Sequence, residues 1–279
     1  MSTATITAQD INKLRQATGA GMMDCRKALT ETGGDFEAAI DWLRKQGQKV
    51  AAKRSDREAK EGVVIAKTTA DNKTGFIVTL SCETDFVSKN ADFVAFAQSI
   101  ADAAVANNVK TAEELNEVTV NGAKVSDLIN DKLASIGEKI AVSRFERVEA
   151  PYVASYIHGA YRMGVLVGFS KEVGEAGRDV AMQIAAMNPV AVDASSVPAD
   201  VVAREKDIVM DQMKQDPKMA GKPEEMMAKI AEGKLNAFFK ESTLLAQAFV
   251  KDSSKSVGDY LKSVGSDVKV LEFKRVALG

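Results

Sequence analysis

The stretch Gly75-Phe76-Ile77-Val78-Thr79-Leu80-Ser81-Cys82-Glu83-Thr84-Asp85-Phe86-Val87 changes pattern once, at Glu83. From Phe76 to Cys82 the residues alternate. Phe76, Val78, Leu80 and Cys82 fall on one face, and Ile77, Thr79 and Ser81 on the other. That period predicts a half-buried strand. At Glu83 the alternation gives way to an acid, a hydroxyl, an acid and a large aromatic, just before a helical pattern opens at Asn90. A strand-to-helix corner of this kind is fixed by the rigid elements on either side, which makes it a natural place for working groups. The same residues also suit an ordinary turn in which Phe86 folds back into the core.

Working outward, the strand belongs to an internal repeat. Gly75-Phe76-Ile77-Val78-Thr79-Leu80 follows a strand (Val63 to Lys67) and a turn. Gly164-Val165-Leu166-Val167-Gly168-Phe169 likewise follows a strand (Tyr152 to Ile157) and a turn. An amphipathic helix is expected after each hairpin, with Phe93, Phe96, Ala97, Ile100 and Ala104 on one face in the first and Val180, Ile184 and Met187 in the second. Each unit closes alike: Ile136-Gly137 leads to Phe145-Glu146-Arg147-Val148, and Val264-Gly265 to Phe273-Lys274-Arg275-Val276. The closing landmarks are 128 residues apart (265 − 137) and the hairpins only 89 (164 − 75), so the second unit holds an insertion of about 39 residues. That insertion reads as two helices around a Pro/Gly turn. One starts at Val197-Pro198 and carries Val202, Ile208, Val209 and Met213; the other follows Gly221-Lys222-Pro223 and carries Met226, Met227, Ile230, Leu235 and Phe238. Such a pair makes an antiparallel helical hairpin, whose outer face is solvated or meets another protein, a second copy included.

Residues 1–50 read as three short helices. Thr7 and Asp10 fit a capping box, Gly19 stops the first helix, Gly33-Gly34 the second and Gly47 the third, which Asp35 caps. Met22 and Met23 are adjacent, so on a helix they point about 100° apart and at least one faces outward. Residues 48–61 mix charges of both signs with little apolar content. The expected division is therefore a three-helix docking module over 1–50, a linker over 51–61, one core subdomain over 62–149, a second over 150–192 and 243–279, and the helical hairpin over 193–242. Hairpins imply antiparallel sheets, so the fold class is α+β.

Composition narrows the function. The chain has 279 residues, 46% apolar, with net charge −2. Without a basic excess, the electrostatic term that drives nucleic-acid binding is missing. No apolar run approaches the roughly 18 residues of a membrane span, and residues 1–15 do not look like a signal peptide. The two cysteines, Cys25 and Cys82, are expected reduced, in a cytoplasmic setting. With one histidine, His158, and no phosphate-binding glycine loop, neither a metal, a cofactor nor enzymatic activity is expected.

Thr84-Asp85-Phe86-Val87 after a strand, together with Thr18-Gly19-Ala20-Gly21-Met22-Met23-Asp24-Cys25, closely resembles the bacterial elongation factor Ts family, and the likeness runs from the first helix to about Val276. The resemblance implies a guanine-nucleotide exchange factor for elongation factor Tu in its GDP-bound and nucleotide-free forms. It implies a ubiquitin-associated type of three-helix module whose Arg15, Met22, Met23 and Arg26 meet the partner's nucleotide-binding domain, a two-subdomain core and a protruding coiled coil. Thr84, Asp85, Phe86 and Val87 would then act at the magnesium and nucleotide site. Ile136-Gly137, His158-Gly159 and Phe249-Val250 match further family contacts, although Lys251 departs from the methionine that often follows the last pair. Some members continue into a C-terminal helical module, a contact the resemblance would leave missing after Gly279. Two rivals stand beside this reading. One is an adaptor or holdase without exchange activity; the other is a hydrolase built on Glu83, Asp85 and His158, which requires the three within hydrogen-bonding reach.

Overall fold

The computed structural model describes residues 6–54, 56–219 and 222–279. Its first three helices are α1 (Ala8–Thr18), α2 (Met22–Glu31) and α3 (Phe36–Lys53). Thr7 Oγ1 accepts from Asp10 N at 3.2 Å, and the Asp10 carboxylate accepts from Thr7 N at 3.0 Å, so the capping box forms. Gly19 takes a left-handed conformation (φ 68°), and its N–H closes α1 on the Arg15 carbonyl. Leu14, Cys25, Ala28, Leu29 and Ala39 fill a small core between the three helices.

The next segment gives two hairpin strands, β1 (Glu61–Thr68) and β2 (Thr74–Cys82), then α4 (Asp85–Ser88), α5 (Ala91–Ala106) and α6 (Ala112–Glu117). A small hairpin, β3 (Thr119–Val120) and β4 (Ala123–Lys124), turns on Asn121 and Gly122, both at positive φ. It leads to α7 (Val125–Ile136) and β5 (Ala141–Glu149). The third helix does not end at Gly47, as the sequence suggests; it runs on to Lys53. Gly47 serves packing instead: a Cβ there would sit 3.3 Å from Ala134 Cβ and from the Asn130 carbonyl of α7.

The remaining elements are β6 (Tyr152–His158), β7 (Met163–Phe169), α8 (Glu175–Met187), α9 (Ala199–Gln215), α10 (Glu224–Ser242), β8 (Ala248–Phe249), β9 (Asp252–Ser256), α11 (Val257–Val264) and β10 (Val270–Ala277). The molecule is a mixed α+β protein with antiparallel sheets. Two three-stranded sheets, ordered β1-β2-β5 and β10-β7-β6, dominate it. In the first, Gly75 pairs with Val148 and Val78 with Phe145; in the second, Gly164 pairs with Val276 and Val167 with Phe273.

These sheets pack face to face, which corrects the half-buried reading of β2. Every residue of that strand is buried. Phe76, Val78, Leu80 and Cys82 face Phe93, Ala97, Ile100 and Ala104 of α5. On the opposite face Ile77 joins Val64, Ala66, Val148, Val153, Leu166 and Val276 in a core between the sheets. Val165, Val167 and Phe169 point the other way, onto Val180 and Ile184 of α8. Each large aliphatic side chain so buried contributes roughly 1.5–3 kcal/mol. Met187, expected on the inner face of α8, is instead exposed beyond its last packed turn.

α9 and α10 contact each other, with Val209 and Met213 buried while Ile208, Met210 and Met226 remain exposed. Gly221, which the sequence places at their turn, lies outside the described residues. The base of the pair is clamped: Val190 N donates to the Ser242 carbonyl at 2.8 Å, and Leu244 N and Leu245 N donate to the Ala191 and Val192 carbonyls at 3.0 Å. Among the described residues, no helix is long and apolar enough to cross a membrane.

The sheet contact and the helical pair predict opposite outcomes for two glycines. A Cβ on Gly164 would lie 2.9 Å from Val64 Cγ1, whereas at Gly233, inside α10, it meets nothing within 4 Å. Gly164→Val is expected to lower unfolding stability by about 1–3 kcal/mol, and Gly233→Ala to raise it by about 0.4–1 kcal/mol. Urea unfolding followed by circular dichroism measures both.

Candidate functional site

Beyond Cys82 the backbone leaves the sheet through Glu83 and an extended Thr84 (φ −124°, ψ 154°) and forms the single turn α4. Glu138 holds this corner. Its Oε2 accepts from Glu83 N at 3.1 Å and Thr84 N at 3.0 Å, and its Oε1 accepts from the Thr84 hydroxyl at 2.7 Å. In return, Glu83 Oε1 accepts from Lys139 N at 2.6 Å and Oε2 from Arg57 at 3.1 Å, with Arg54 at 3.6 Å. The Lys139 N–H and, after it, the guanidinium of Arg57 hold the Glu83 carboxyl below the usual range. Cys82 Sγ donates to the Thr84 carbonyl at 3.2 Å. Burial, then the nearby Glu138 carboxylate, pushes the Cys82 thiol up to about 12, so it is no nucleophile at neutral pH.

This arrangement turns Val87 inward against the α5 core and leaves Phe86 85% exposed. Phe86 does not fold back. An isolated exposed phenylalanine forgoes roughly 1.5–3 kcal/mol of burial. Beside it, Asp85 accepts from Lys89 Nζ at 2.7 Å, and that bond, aided by the lysine charge, lowers the carboxyl's pKa.

Three further sequence candidates come to the neighbourhood of this corner. Gly137 (φ 81°) ends α7 and delivers the chain directly into Glu138, which sets Ile136-Gly137 beside the corner. The α1–α2 loop bonds the same helix end, because Ser135 Oγ donates to the Gly19 carbonyl. In that three-helix group Arg15 and Arg26 are exposed, and so are Met22 (53%) and Met23 (73%). The β6–β7 turn approaches from the second sheet. Gly159, Ala160 and Tyr161 all take positive φ, the Tyr161 carbonyl accepts from Val64 N at 2.7 Å, and Arg162 pairs with Glu61 at 3.2 Å. Glu61 in turn lies opposite Cys82 in the β1–β2 register.

His158 and Gly159 are exposed at this turn. The His158 Nδ1 bonds the Tyr156 hydroxyl at 3.0 Å, whereas Asp85 bonds Lys89 and Glu83 bonds Lys139 and Arg57. The three groups therefore do not form the acid–base set a hydrolase needs. Among the described residues, no cluster of three or more His, Cys, Asp or Glu has the arrangement to hold a metal. Phe249, matched to a family contact, is 3% exposed and stacked on Tyr260, ring centroids 4.2 Å apart. Its neighbour Val250 is the exposed one (47%), and Lys251 pairs with Asp179 of α8 at 2.5 Å. These residues sit over α8 and its sheet, apart from the corner. Glu138 is the residue the sequence reading missed. Nothing in its local pattern marks it, since its role depends on a strand end 54 residues away.

A model of the family described as elongation factor TS matches residues 83–279, beginning at the first residue of this corner. The chain belongs to the elongation factor Ts family. Its similarity extends over full length. An elongation factor Ts of Christiangramia forsetii is 49% identical over 279 residues, covering 99% of this chain and 100% of the relative. That of Methylococcus capsulatus is 45% identical over 98% of this chain and 92% of its own, and that of Chlorobium phaeobacteroides 42% identical over 98% and 99%. A translation elongation role follows for this elongation factor Ts family member.

The Lys89 bond gives a direct test of the corner's electrostatics. Asp85 is expected to titrate below the ordinary 3.8, and Lys89→Ala to move its midpoint up toward that value, as read by carboxyl-carbon NMR. An unmoved midpoint would show that the lysine does not hold the carboxylate.

Proposed function

We propose that this protein is a guanine-nucleotide exchange factor for elongation factor Tu, working in the cytoplasm without a cofactor and without catalysing a chemical reaction. The observation that carries the reading is Phe86, projected into solvent beside an ionised carboxylate on a corner anchored to the core. Such a factor needs only to bind the nucleotide-free partner more tightly than the loaded one, and by reciprocity it weakens nucleotide as much as nucleotide weakens it. A shift of ~10⁴-fold requires about 5.5 kcal/mol of differential binding. In this proposal Phe86 inserts beside the partner's magnesium site and displaces apolar packing. Asp85 brings a negative charge and an acceptor that disturb the metal's surroundings, while Thr84 and Val87 hold the turn.

The rest of the chain takes roles around that wedge. Residues 1–50 act as a three-helix docking module of the ubiquitin-associated type, with Arg15, Met22, Met23 and Arg26 on the partner's nucleotide-binding domain; exposed methionines suit adaptable contacts. Two repeated core subdomains, 62–149 and 150–192 with 243–279, present Ile136-Gly137, His158-Gly159 and Phe249-Val250, the last pair through the exposed Val250. The hairpin of residues 193–242 projects as a coiled coil whose exposed Ile208, Met210 and Met226 suit contact with a second copy or another protein.

The test is release of fluorescent GDP from elongation factor Tu. Wild-type protein is expected to accelerate it strongly, and Phe86→Ala to cut the acceleration about ten- to a hundredfold, the equivalent of roughly 1.5–3 kcal/mol for one buried phenylalanine. Binding without acceleration by the wild type would leave an adaptor instead. Acceleration untouched by the substitution would move the wedge elsewhere.

A further inference from the structure

Thr84 stands at the cap position of α4, yet its side chain makes no cap. A threonine hydroxyl there ordinarily accepts from a backbone N–H two or three residues on. Here it is turned away and donates to Glu138 Oε1, while Glu138 Oε2 takes the N–H groups of Glu83 and Thr84. One carboxylate thus receives three donors from two consecutive residues, in the charge-assisted class that is shorter and stronger than neutral hydrogen bonds. Glu83 completes the exchange by taking the Lys139 N–H. Two segments remote in sequence are crossed, each acid satisfied by the other segment's backbone.

The turn that carries Phe86 cannot orient itself. α4 has four residues, far short of the length at which a helix persists in water. The Lys89–Asp85 bond lies within the turn and its flank, so it ties nothing to the sheet. Val87 and Ser88 seat the inner side, but they lie beyond Phe86 and leave the entry to the turn, at Glu83 and Thr84, to be fixed by other groups. Glu83 is tied there by Lys139, Arg57 and Arg54 and the Thr84 carbonyl by Cys82 Sγ, while Glu138 alone takes the N–H groups of both residues and the Thr84 hydroxyl.

We infer that Glu138 is a positioning residue for exchange: its carboxylate sets the direction in which Phe86 projects, without itself being the group that displaces nucleotide. The inference rests on the exchange reading above. It assigns to the residue after Ile136-Gly137 a role that acts through the corner.

The test uses full-length Glu138→Ala and the isosteric Glu138→Gln, with three measurements. Thermal unfolding reports folding, amide hydrogen exchange of Glu83 and Thr84 reports the corner in the free protein, and fluorescent-GDP release from elongation factor Tu is followed as a function of factor concentration. In Glu138→Ala the two amides are expected to exchange at least about tenfold faster with cooperative unfolding retained. The maximal release rate is expected to fall about tenfold, and the half-saturating concentration to change less than about threefold, because a misdirected wedge costs rate more than docking. Glu138→Gln, which keeps one oxygen acceptor, should fall between. Unchanged amide protection overturns the inference, as does an undiminished maximal rate once protection is lost. A rise confined to the half-saturating concentration overturns it too, by making Glu138 a binding contact. Should Glu138→Ala fail to fold, Glu138→Gln decides on the same readings. If wild-type protein does not accelerate release at all, the exchange reading falls, and amide exchange alone decides whether Glu138 holds the corner.

Discussion

A Cβ on Gly75 would lie 2.7 Å from both Leu166 Cδ2 and Val153 Cγ1, and one on Gly164 would lie 2.9 Å from Val64 Cγ1. The two sheets touch where each lacks a side chain, and the other's branched residues fill the space. This close approach is the constraint from which the rest of the molecule follows. It buries the second face of β2, which the α5 contact alone would leave wet. It also brings the β6–β7 turn onto the end of β1, where the Tyr161 carbonyl receives the Val64 N–H and Arg162 meets Glu61. Spreading the sheets by the width of a methyl group would separate those partners, because protein interiors lose packing energy over fractions of an ångström.

The corner at Glu83 to Phe86 shows what that rigidity supports. Two carboxylates, Glu83 and Glu138, stand close together at the end of a buried strand, and an apolar ring stands in water beside them. Both features oppose folding when taken alone. The acids are compensated by backbone N–H groups, Arg57 and Arg54, so that Glu83 ionises more readily than usual. Among the described residues nothing covers the ring, which is 85% exposed. Its exposure is tolerated because the crossed hydrogen bonds and the buried Cys82 already determine where the backbone goes. An exposed aromatic held by a fixed backbone gives up little conformational freedom on burial by a partner, which is the condition for tight, specific contact.

The sequence made the local features legible. Thr7 and Asp10 spelled the first capping box, the hairpins ended where their turns said, and the methionine pair had to expose at least one member. What escaped it depends on surroundings that one chain's pattern does not encode. Ile77, Thr79 and Ser81 read as the less buried set because two of them are polar, although all three are buried and Ile77 packs in the core between the sheets. Gly47 has the composition of a helix stop, but a glycine is equally a site of close approach, and α7 rather than the local sequence decides between them. Glu138 looks like any surface acid after a helix. Each of these misses turns on a partner remote in the chain, whereas the successes were local patterns or the spacing of an internal repeat.

The molecule therefore contains joints of two kinds. Between the sheets the contact is dry, aliphatic and tight. Between the three-helix group and α7 it is mixed, with the Ser135–Gly19 bond and an Arg44–Asp131 pair at 3.9 Å beside the close approach of Gly47 to Ala134. A cavity of about 560 Å³ opens there, lined by Lys27, Trp42, Phe96 and Lys132 among others. Burial raises the Asp131 carboxyl's pKa, so even the ion pair at this joint is held against a desolvation cost that the arginine only partly offsets. Phe86 and the His158 turn are consequently fixed to one another through the core, while the exposed methionines of α2 are joined to them across a seam that holds this cavity. The exposed methionines of α2 thus lie across a joint that leaves a cavity, and Phe86 on a body whose two sheets interlock, so the first surface can shift relative to the second at less packing cost than the sheets can shift against each other.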